Sequence, residues 1–304
     1  MESGLLRDVT EAEIETYRKH GVVRLRGVLP ADWVSELGIA IDQVIYDRWE
    51  DNPVHYDITG TADALRAQGA GSLVLSDVRA DAIETPGQFR STVGSWLVND
   101  ALRRLVLDPR LGYLAARLTG ARAVSFYENQ TFMKEPGTRE YTAFHTDEPY
   151  FHLQGDQILS LWMSPDSVSE DSGAMRYIRG SHRWGQRYKP NPFISQTAMD
   201  SLGIGESEPD QQQLPDIEGR LSEYDVITHP SEPGDVIAHH LNLVHGSGPN
   251  YTADRKRRAV SVTLAGDDAV YWFKKSAPPQ PHQTHGLANG AALGSEPFVR
   301  VWPA

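Results

Sequence analysis

The chain has 304 residues, with 41 Asp and Glu against 29 Lys and Arg and a formal charge of −12. Hydrophobic residues make up 39% and charged residues 23%, which suits a globular enzyme and is too apolar for a disordered chain. The acidic balance argues against nucleic-acid binding and against an anionic membrane surface. The absence of cysteine excludes disulfides, thiolate metal sites, iron–sulfur clusters and a thiol nucleophile.

Met1 to Asp8 lack the basic start and apolar core of a signal peptide. Residues 10–20 read as a helix, because Thr10 and Glu13 have capping-box spacing and Val9 and Ile14 are placed as a hydrophobic staple. Val22-Val23-Arg24-Leu25-Arg26 reads as a short strand. Pro30 opens a second helix with the apolar stripe Val34, Leu37, Ile41, Val44 and Ile45. A Gly/Ala-rich stretch covers residues 60–71, and two more helices are expected near 94–107 and 109–118.

From residue 121 the texture changes. Short β-branched or aromatic runs at 123–127, 158–163, 235–238 and 258–264, bounded by Gly, Pro and Asp, read as strands. The chain is therefore expected to be α+β and mainly β, helical over about 1–120 with a barrel core over about 121–275. No repeat or linker divides it, so 1–304 is expected to be a single domain. Residues 190–225 interrupt the pattern. Between Asp200 and Asp225 eight acidic residues face Arg220 alone, carrying −7 of the total −12 within 26 residues. That stretch reads equally as a solvated loop or as a lid over a site. The longest charge-free run, 276–295, is Pro, Gln, Gly and Ala and cannot span a membrane. A cytoplasmic, soluble chain is expected.

No G-x-S-x-G elbow, G-x-G-x-x-G turn, phosphate-binding Gly-Lys-Ser/Thr loop or H-E-x-x-H helix is present. His282 and His285, in a Pro/Gln-rich tail, read as exposed polar residues. The informative segment is Phe144-His145-Thr146-Asp147-Glu148-Pro149-Tyr150-Phe151. On a strand, positions i and i+2 share a face, so His145 and Asp147 present an imidazole and a carboxylate together. That is two thirds of the 2-His-1-carboxylate triad that holds Fe(II) and leaves coordination positions open. About a hundred residues later, Gly234-Asp235-Val-Ile-Ala-His239-His240-Leu-Asn-Leu-Val-His245-Gly-Ser247-Gly-Pro-Asn250 offers three more histidines. By pattern alone each could be core, surface or ligand. An Arg-rich stretch, Arg255-Lys-Arg257-Arg258, follows on the next strand, and Arg suits a bidentate carboxylate contact.

These blocks, with Gln130-Thr-Phe-Met-Lys134-Glu-Pro-Gly, Ser160-Leu-Trp162-Met and Gly173-Ala-Met-Arg-Tyr-Ile-Arg-Gly-Ser-His182-Arg-Trp, resemble the phytanoyl-CoA dioxygenase-like family of Fe(II)- and 2-oxoglutarate-dependent oxygenases. The resemblance is weak over 10–50 and good over 120–265. It implies a double-stranded β-helix, a cupin-like jelly roll with N-terminal helices packed on the major sheet. It also implies Fe(II), 2-oxoglutarate and O2 as cofactors. Carried over by position, His145, Asp147 and His245 would bind the iron. Arg257 and Ser247 would hold the far carboxylate of 2-oxoglutarate, and Gln130, Lys134 and Trp162 would line its pocket. His245 to Arg257 runs one residue longer than the family's usual spacing, which keeps Arg255 and Arg258 as rivals. Arg257 is preferred because it stands two before Ala259 and four before Ser261.

The implied reaction is hydroxylation of an unactivated C–H bond with release of succinate and CO2. Halogenating relatives replace the carboxylate ligand, so the presence of Asp147 argues against halogenation. Desaturation, cyclisation or epimerisation are alternatives, as are a non-catalytic jelly-roll binding protein and a hydrolase using another metal. The acidic stretch would repel an acyl-CoA, which favours a free small molecule, such as a natural-product intermediate, as substrate. A basic cluster, Arg176, Arg179, Arg183, Arg187 and Lys189, is expected to pair with that stretch rather than to anchor substrate. His152 and His182 are expected to pack or face solvent, although Tyr150, Phe151 and His152 follow the metal motif closely enough to face substrate. The expected assembly is a monomer or homodimer.

Overall fold

The computed structural model describes residues 4–69, 78–280 and 286–303; His282 and His285 lie outside them. Helix α1 (Glu11–His20) begins as its sequence predicts. Glu13 N donates to Thr10 Oγ1 at 3.2 Å, and Thr10 N donates back to the Glu13 carboxylate at 2.9 Å, the reciprocal pair of a capping box. Gly21 closes it at φ 75°, in the left-handed region that glycine enters at least cost. Helix α2 (Ala31–Asp42) runs on into a π-helical turn over Gln43–Asp47. Then come α3 (Thr61–Ala67), α4 (Val78–Asp81), α5 (Asp100–Val106) and α6 (Pro109–Thr119). Asn99 and Asp108 cap the last two, and Pro109 fills the first position of α6.

The strands are β1 (Val22–Leu25), β2 (Val54–Asp57), β3 (Phe89–Val93), β4 (Val124–Lys134), β5 (Thr142–His145), β6 (Leu153–Gln154), β7 (Ile158–Met163) and β8 (Met175–Ile178). After them come β9 (Arg187–Tyr188), β10 (Gln211–Gln212), β11 (Val226–His229), β12 (Val236–His240), β13 (His245–Ser247), β14 (Arg257–Gly266), β15 (Val270–Tyr271) and β16 (Arg300–Trp302). The fold is mainly β with several sheets. The largest runs β1-β12-β7-β14-β4-β3-β2, with β16 also on β4, and a four-stranded sheet runs β11-β8-β13-β5. Pairs β9 with β10 and β6 with β15 complete the set.

The first 120 residues hold more strand than expected, because β2 and β3 lie there besides the expected β1 and extend the large sheet. Strands of four or five residues with polar alternates, such as Phe89-Arg-Ser-Thr-Val93, carry little local signal. The eleven-residue β4, with backbone groups to pair along its whole length, recruits β3.

Alternation along the large sheet gives it two unlike faces. Leu159, Leu161, Val260, Val262 and Leu264 join one apolar cluster with helix residues such as Leu37, Ile41 and Leu114. The positions between them turn the other way and are polar at the centre: Ser160, Ser261 and Thr263, flanked by Trp162 and Arg257, line a cavity. A strand pattern with polar residues on its inner face marks a surface built for a ligand rather than for a dry core. Among the described residues, no helix is long and apolar enough to cross a membrane.

Strand β13 lies close enough to β5 to forbid a side chain at Gly246. A Cβ there would come 2.5 Å from the Thr142 carbonyl oxygen and 3.2 Å from backbone atoms of Ala143 and Phe144. Gly246→Ala is expected to cost about 1–3 kcal/mol, as overpacked sites do. Thermal unfolding followed by circular dichroism reads this as a lowered Tm; an unchanged Tm would show that the two strands are free to separate.

Candidate active site

His145 ends β5, and His245 stands directly opposite it at the start of β13. Their ring centroids are 4.3 Å apart. Asp147 does not sit on the strand, as simple alternation would have it. It lies in the following turn with φ −77° and ψ −23°, held by its N–H on the Leu241 carbonyl at 3.0 Å. From there Asp147 Oδ1 is 3.6 Å from both His145 Nε2 and His245 Nε2. These are long for hydrogen bonds, but the three ligand atoms lie within 4.8 Å of one another, which is the separation of donors around a shared cation.

The tautomers fit that reading. His145 Nδ1 faces the Ala143 carbonyl at 2.8 Å and His245 Nδ1 faces the Leu243 carbonyl at 2.9 Å. Each Nδ1–H donates there, so each Nε2 lone pair points inward. Burial drives the His245 imidazole down to about 3, so it is neutral at pH 7. Burial alone would push the Asp147 carboxyl up, but the attraction of the surrounding imidazoles, His245 foremost, and the contact with His239 outweigh it and hold the group well below the usual range. Neutral imidazoles and an anionic carboxylate are the forms a divalent metal binds.

A second pole lies along β14. Arg257 is 2% exposed, opposite Lys134 of β4. Ser247 Oγ accepts from Lys134 Nζ at 3.2 Å and from Arg257 Nη2 at 3.3 Å. Arg257 also lies over the Trp162 ring, 5.7 Å from its centroid. Its Nε is buried with no hydrogen-bond partner, and neither cation is in an ion pair among the described residues. Burial lowers Arg257 to about 10, still charged at neutral pH, and burial beside Arg257 drives Lys134 well below its ordinary value. A desolvated Arg257 with an orphan N–H and no ion-pair partner among the described residues wants an anion, and the far carboxylate of a dicarboxylic acid fits that demand. The rivals point elsewhere: Arg255 is exposed, and Arg258 pairs with Asp166 at 2.6 Å and Asp42 at 2.7 Å. Gln130, on the same face of β4 as Lys134, donates to Ser91 Oγ at 3.0 Å and lines the cavity with Trp162.

The family model described as phytanoyl-CoA dioxygenase (PhyH) matches residues 17–259, which contain every group named above. The chain belongs to the phytanoyl-CoA dioxygenase family. It is similar to a probable alpha-ketoglutarate-dependent hypophosphite dioxygenase of Stutzerimonas stutzeri, 28% identical over 186 residues. That match covers 61% of this chain and only 60% of the relative. It is also similar to the ectoine dioxygenase of Sphingopyxis alaskensis, 25% identical over 299 residues, 92% of this chain and 94% of that one. Among solved structures it shares its fold with the epimerase SnoN in complex with Fe3+, alpha ketoglutarate and nogalamycin RO. The TM-score is 0.67 at 22% identity, covering 96% of this chain and 98% of that one. The protein is a 2-oxoglutarate-dependent non-haem iron dioxygenase, and iron, 2-oxoglutarate and O2 are its cofactors.

In this dioxygenase the two poles open into one cavity of about 810 Å³. Much of the remaining wall is apolar, with Val54, Ile58, Phe132, Phe193, Ile194 and Met199 among its residues. The last three belong to the first part of the 190–225 stretch, so that part forms cavity wall. The basic cluster pairs with it as expected: Lys189 with Asp200, Arg187 with Asp210, Arg176 with Glu218 and Arg179 with Asp225, all at 2.8–2.9 Å. Counted over 176–225, the eight acids meet six bases and the net charge is only −2. Repulsion of an acyl-CoA by this stretch is therefore much weaker than the sequence suggested. Tyr150 and Phe151 line the cavity. His152 does not, since its Nδ1 accepts from Lys274 N at 3.0 Å and its ring stacks on Phe273.

Sequence reasoning passed over three cavity residues. Ser160 donates to Asp147 Oδ2 at 3.1 Å, and His239 Nε2 lies 3.4 Å from the same oxygen. Alternation with Ile237 would have turned His239 inward, but the neighbouring His240 blurs the pattern. Glu128 is the third. Burial pushes its carboxyl up to about 8, against bonds from Asn129 N at 2.8 Å and Trp96 Nε1 at 3.2 Å. The folded chain thus keeps a proton that the unfolded chain releases near pH 4.5, so this group's contribution to stability falls as pH rises from about 4.5 to 8 and is level above. Glu128→Gln keeps the neutral shape. Its stability gain over wild type, measured by urea unfolding, is expected to grow from pH 5 to pH 9; a gain constant with pH would mean the buried group is already ionised at pH 5.

Proposed function

We propose that this dioxygenase hydroxylates an unactivated C–H bond of a small, largely apolar organic molecule. His145, Asp147 and His245 hold the iron; Arg257 and Ser247 hold the far carboxylate of 2-oxoglutarate, with Lys134, Gln130 and Trp162 around it. The observation that carries this reading is the presence of a buried His-Asp-His cluster and a buried Arg257 without an ion-pair partner in the lining of one cavity. Bound iron and 2-oxoglutarate supply the oxidation, the latter leaving as succinate and CO2. The chain's own part is to orient and to exclude water: β5 and β13 fix the imidazoles, β14 fixes the anchor for the acid, and apolar walls place the C–H bond.

The same reading takes the two antiparallel sheets as a double-stranded β-helix of cupin type. The N-terminal helices back the larger sheet, all within one domain, and 190–225 acts as a lid. Apolar walls favour an uncharged organic substrate over a small ion. A second reading has one specific support, the likeness to the epimerase SnoN over nearly the whole chain. On that reading the site would invert a stereocentre of its substrate rather than hydroxylate it.

The test is anaerobic absorbance of the protein with Fe(II), before and after 2-oxoglutarate. A weak visible charge-transfer band is expected in wild type and absent in His145→Ala and Asp147→Ala. Arg257→Ala is expected to raise the 2-oxoglutarate concentration for half the band by about 30-fold or more, the cost of losing a buried charge partner. No band in folded, iron-loaded wild type would overturn the assignment of the cosubstrate site.

A further inference from the structure

The two oxygens of Asp147 have different neighbours. Oδ1 faces the two inward imidazole nitrogens. Oδ2 faces Ser160 Oγ at 3.1 Å and His239 Nε2 at 3.4 Å. Those two groups come from adjacent strands in direct register, His239 of β12 opposite Ser160 of β7, and each is 1% exposed. Ser160 is steadied in turn by Thr263 Oγ1 at 3.3 Å.

His239 is oriented oppositely to the two candidate ligands. His145 and His245 spend Nδ1–H on a carbonyl and offer a bare Nε2. The Nδ1 of His239 instead meets the Tyr177 hydroxyl at 3.4 Å, and Tyr177 is fully buried. A phenol that keeps its proton donates to Nδ1, which leaves the hydrogen of His239 on Nε2, aimed at the carboxylate. The chain Tyr177 O–H to His239 to Asp147 then has one consistent direction. The His239 ring also packs 4.5 Å from the His245 ring, and Tyr177 lies against both.

We propose that His239 is a positioning residue of the iron site: with Ser160 it holds Oδ2 of Asp147 and reserves Oδ1 for the metal. Groups in this position fix ligand orientation, and removing one typically lowers metal affinity by about 10- to 100-fold. The inference rests on the ligand assignment above, and its test separates the two.

The probes are Fe(II) and 2-oxoglutarate themselves, added anaerobically to wild type, His239→Ala, His239→Gln and Ser160→Ala. Fe(II) affinity is read by competition with a chromophoric chelator and the charge-transfer band by absorbance, with circular dichroism to establish folding. His239→Ala is expected to bind Fe(II) about 10- to 100-fold more weakly and to shift or weaken the band. In His239→Gln the amide N–H replaces the donor at Nε2, and affinity should return to within about threefold of wild type. Ser160→Ala should show a smaller loss of the same kind, which keeps the test open if His239→Ala fails to fold. Wild-type affinity in folded His239→Ala, or Gln no better than Ala, would overturn the positioning role and leave His239 as packing. A wild type without any band would instead overturn the ligand and cosubstrate assignment.

Discussion

Two strands of only three and four residues, β13 and β5, pair so that His245 and His145 stand opposite each other, and the site follows from that register. A slip by one residue would turn one imidazole to the other face of the sheet. The register is guarded on both sides. Gly246 permits the close backbone approach, and β8 pairs with the other edge of β13, setting Tyr177 beside His245. The turn after β5 then needs only to deliver one carboxylate. Its N–H is caught by Leu241, in the connection between β12 and β13, so the acid and the second histidine are positioned by the same few residues.

The proposed metal triad and acid anchor were legible through the family resemblance. His145 and Asp147 two apart, a distant His245 before Gly-Ser-Gly-Pro-Asn, and Arg257 in phase with Ala259 and Ser261 take their roles from the motif blocks that carry that resemblance, not from spacing alone. Even so, the local reasoning was partly wrong: Asp147 reaches the site from a turn, not from a strand face. Strands β2 and β3 were not legible, because what stabilises them is pairing, β3 on β4 and β2 on β3, and not their own composition. His239 was not legible for a different reason. Its role depends on which nitrogen carries the hydrogen, and that is set by Tyr177, 62 positions away in the chain. The acidic stretch misled on charge because it was counted without the basic cluster that precedes it, and only the folded pairing shows that the two cancel.

Electrostatics divides the cavity into three zones. At the proposed metal pole, two inward imidazole nitrogens and a carboxylate make a nest for a cation. At the far pole, Arg257 makes a nest for an anion; both it and Lys134 behind it are desolvated, and Lys134 is further opposed by Arg257. The apolar wall between and above them has no comparable charge requirement. A molecule carrying a carboxylate at one end and a chelating oxo acid at the other satisfies both poles at once, and the remaining volume is left for a partner chosen by shape.

The wall formed by 190–225 differs from the rest in how it is fastened. Buried hydrogen bonds and sheet register hold the catalytic strands, whereas the ion pairs of Arg179 with Asp225 and Arg187 with Asp210 sit at the surface, their carboxylate side chains 63% exposed. Pairs of that kind lose much of their attraction once ions crowd within about 8–10 Å, while the interior contacts do not notice. Ionic strength is thus a handle on these two exposed fastenings, and it leaves in place the more buried pair of Arg176 with Glu218 and the packing of Leu214 and Ile217 against Phe144 and Val244.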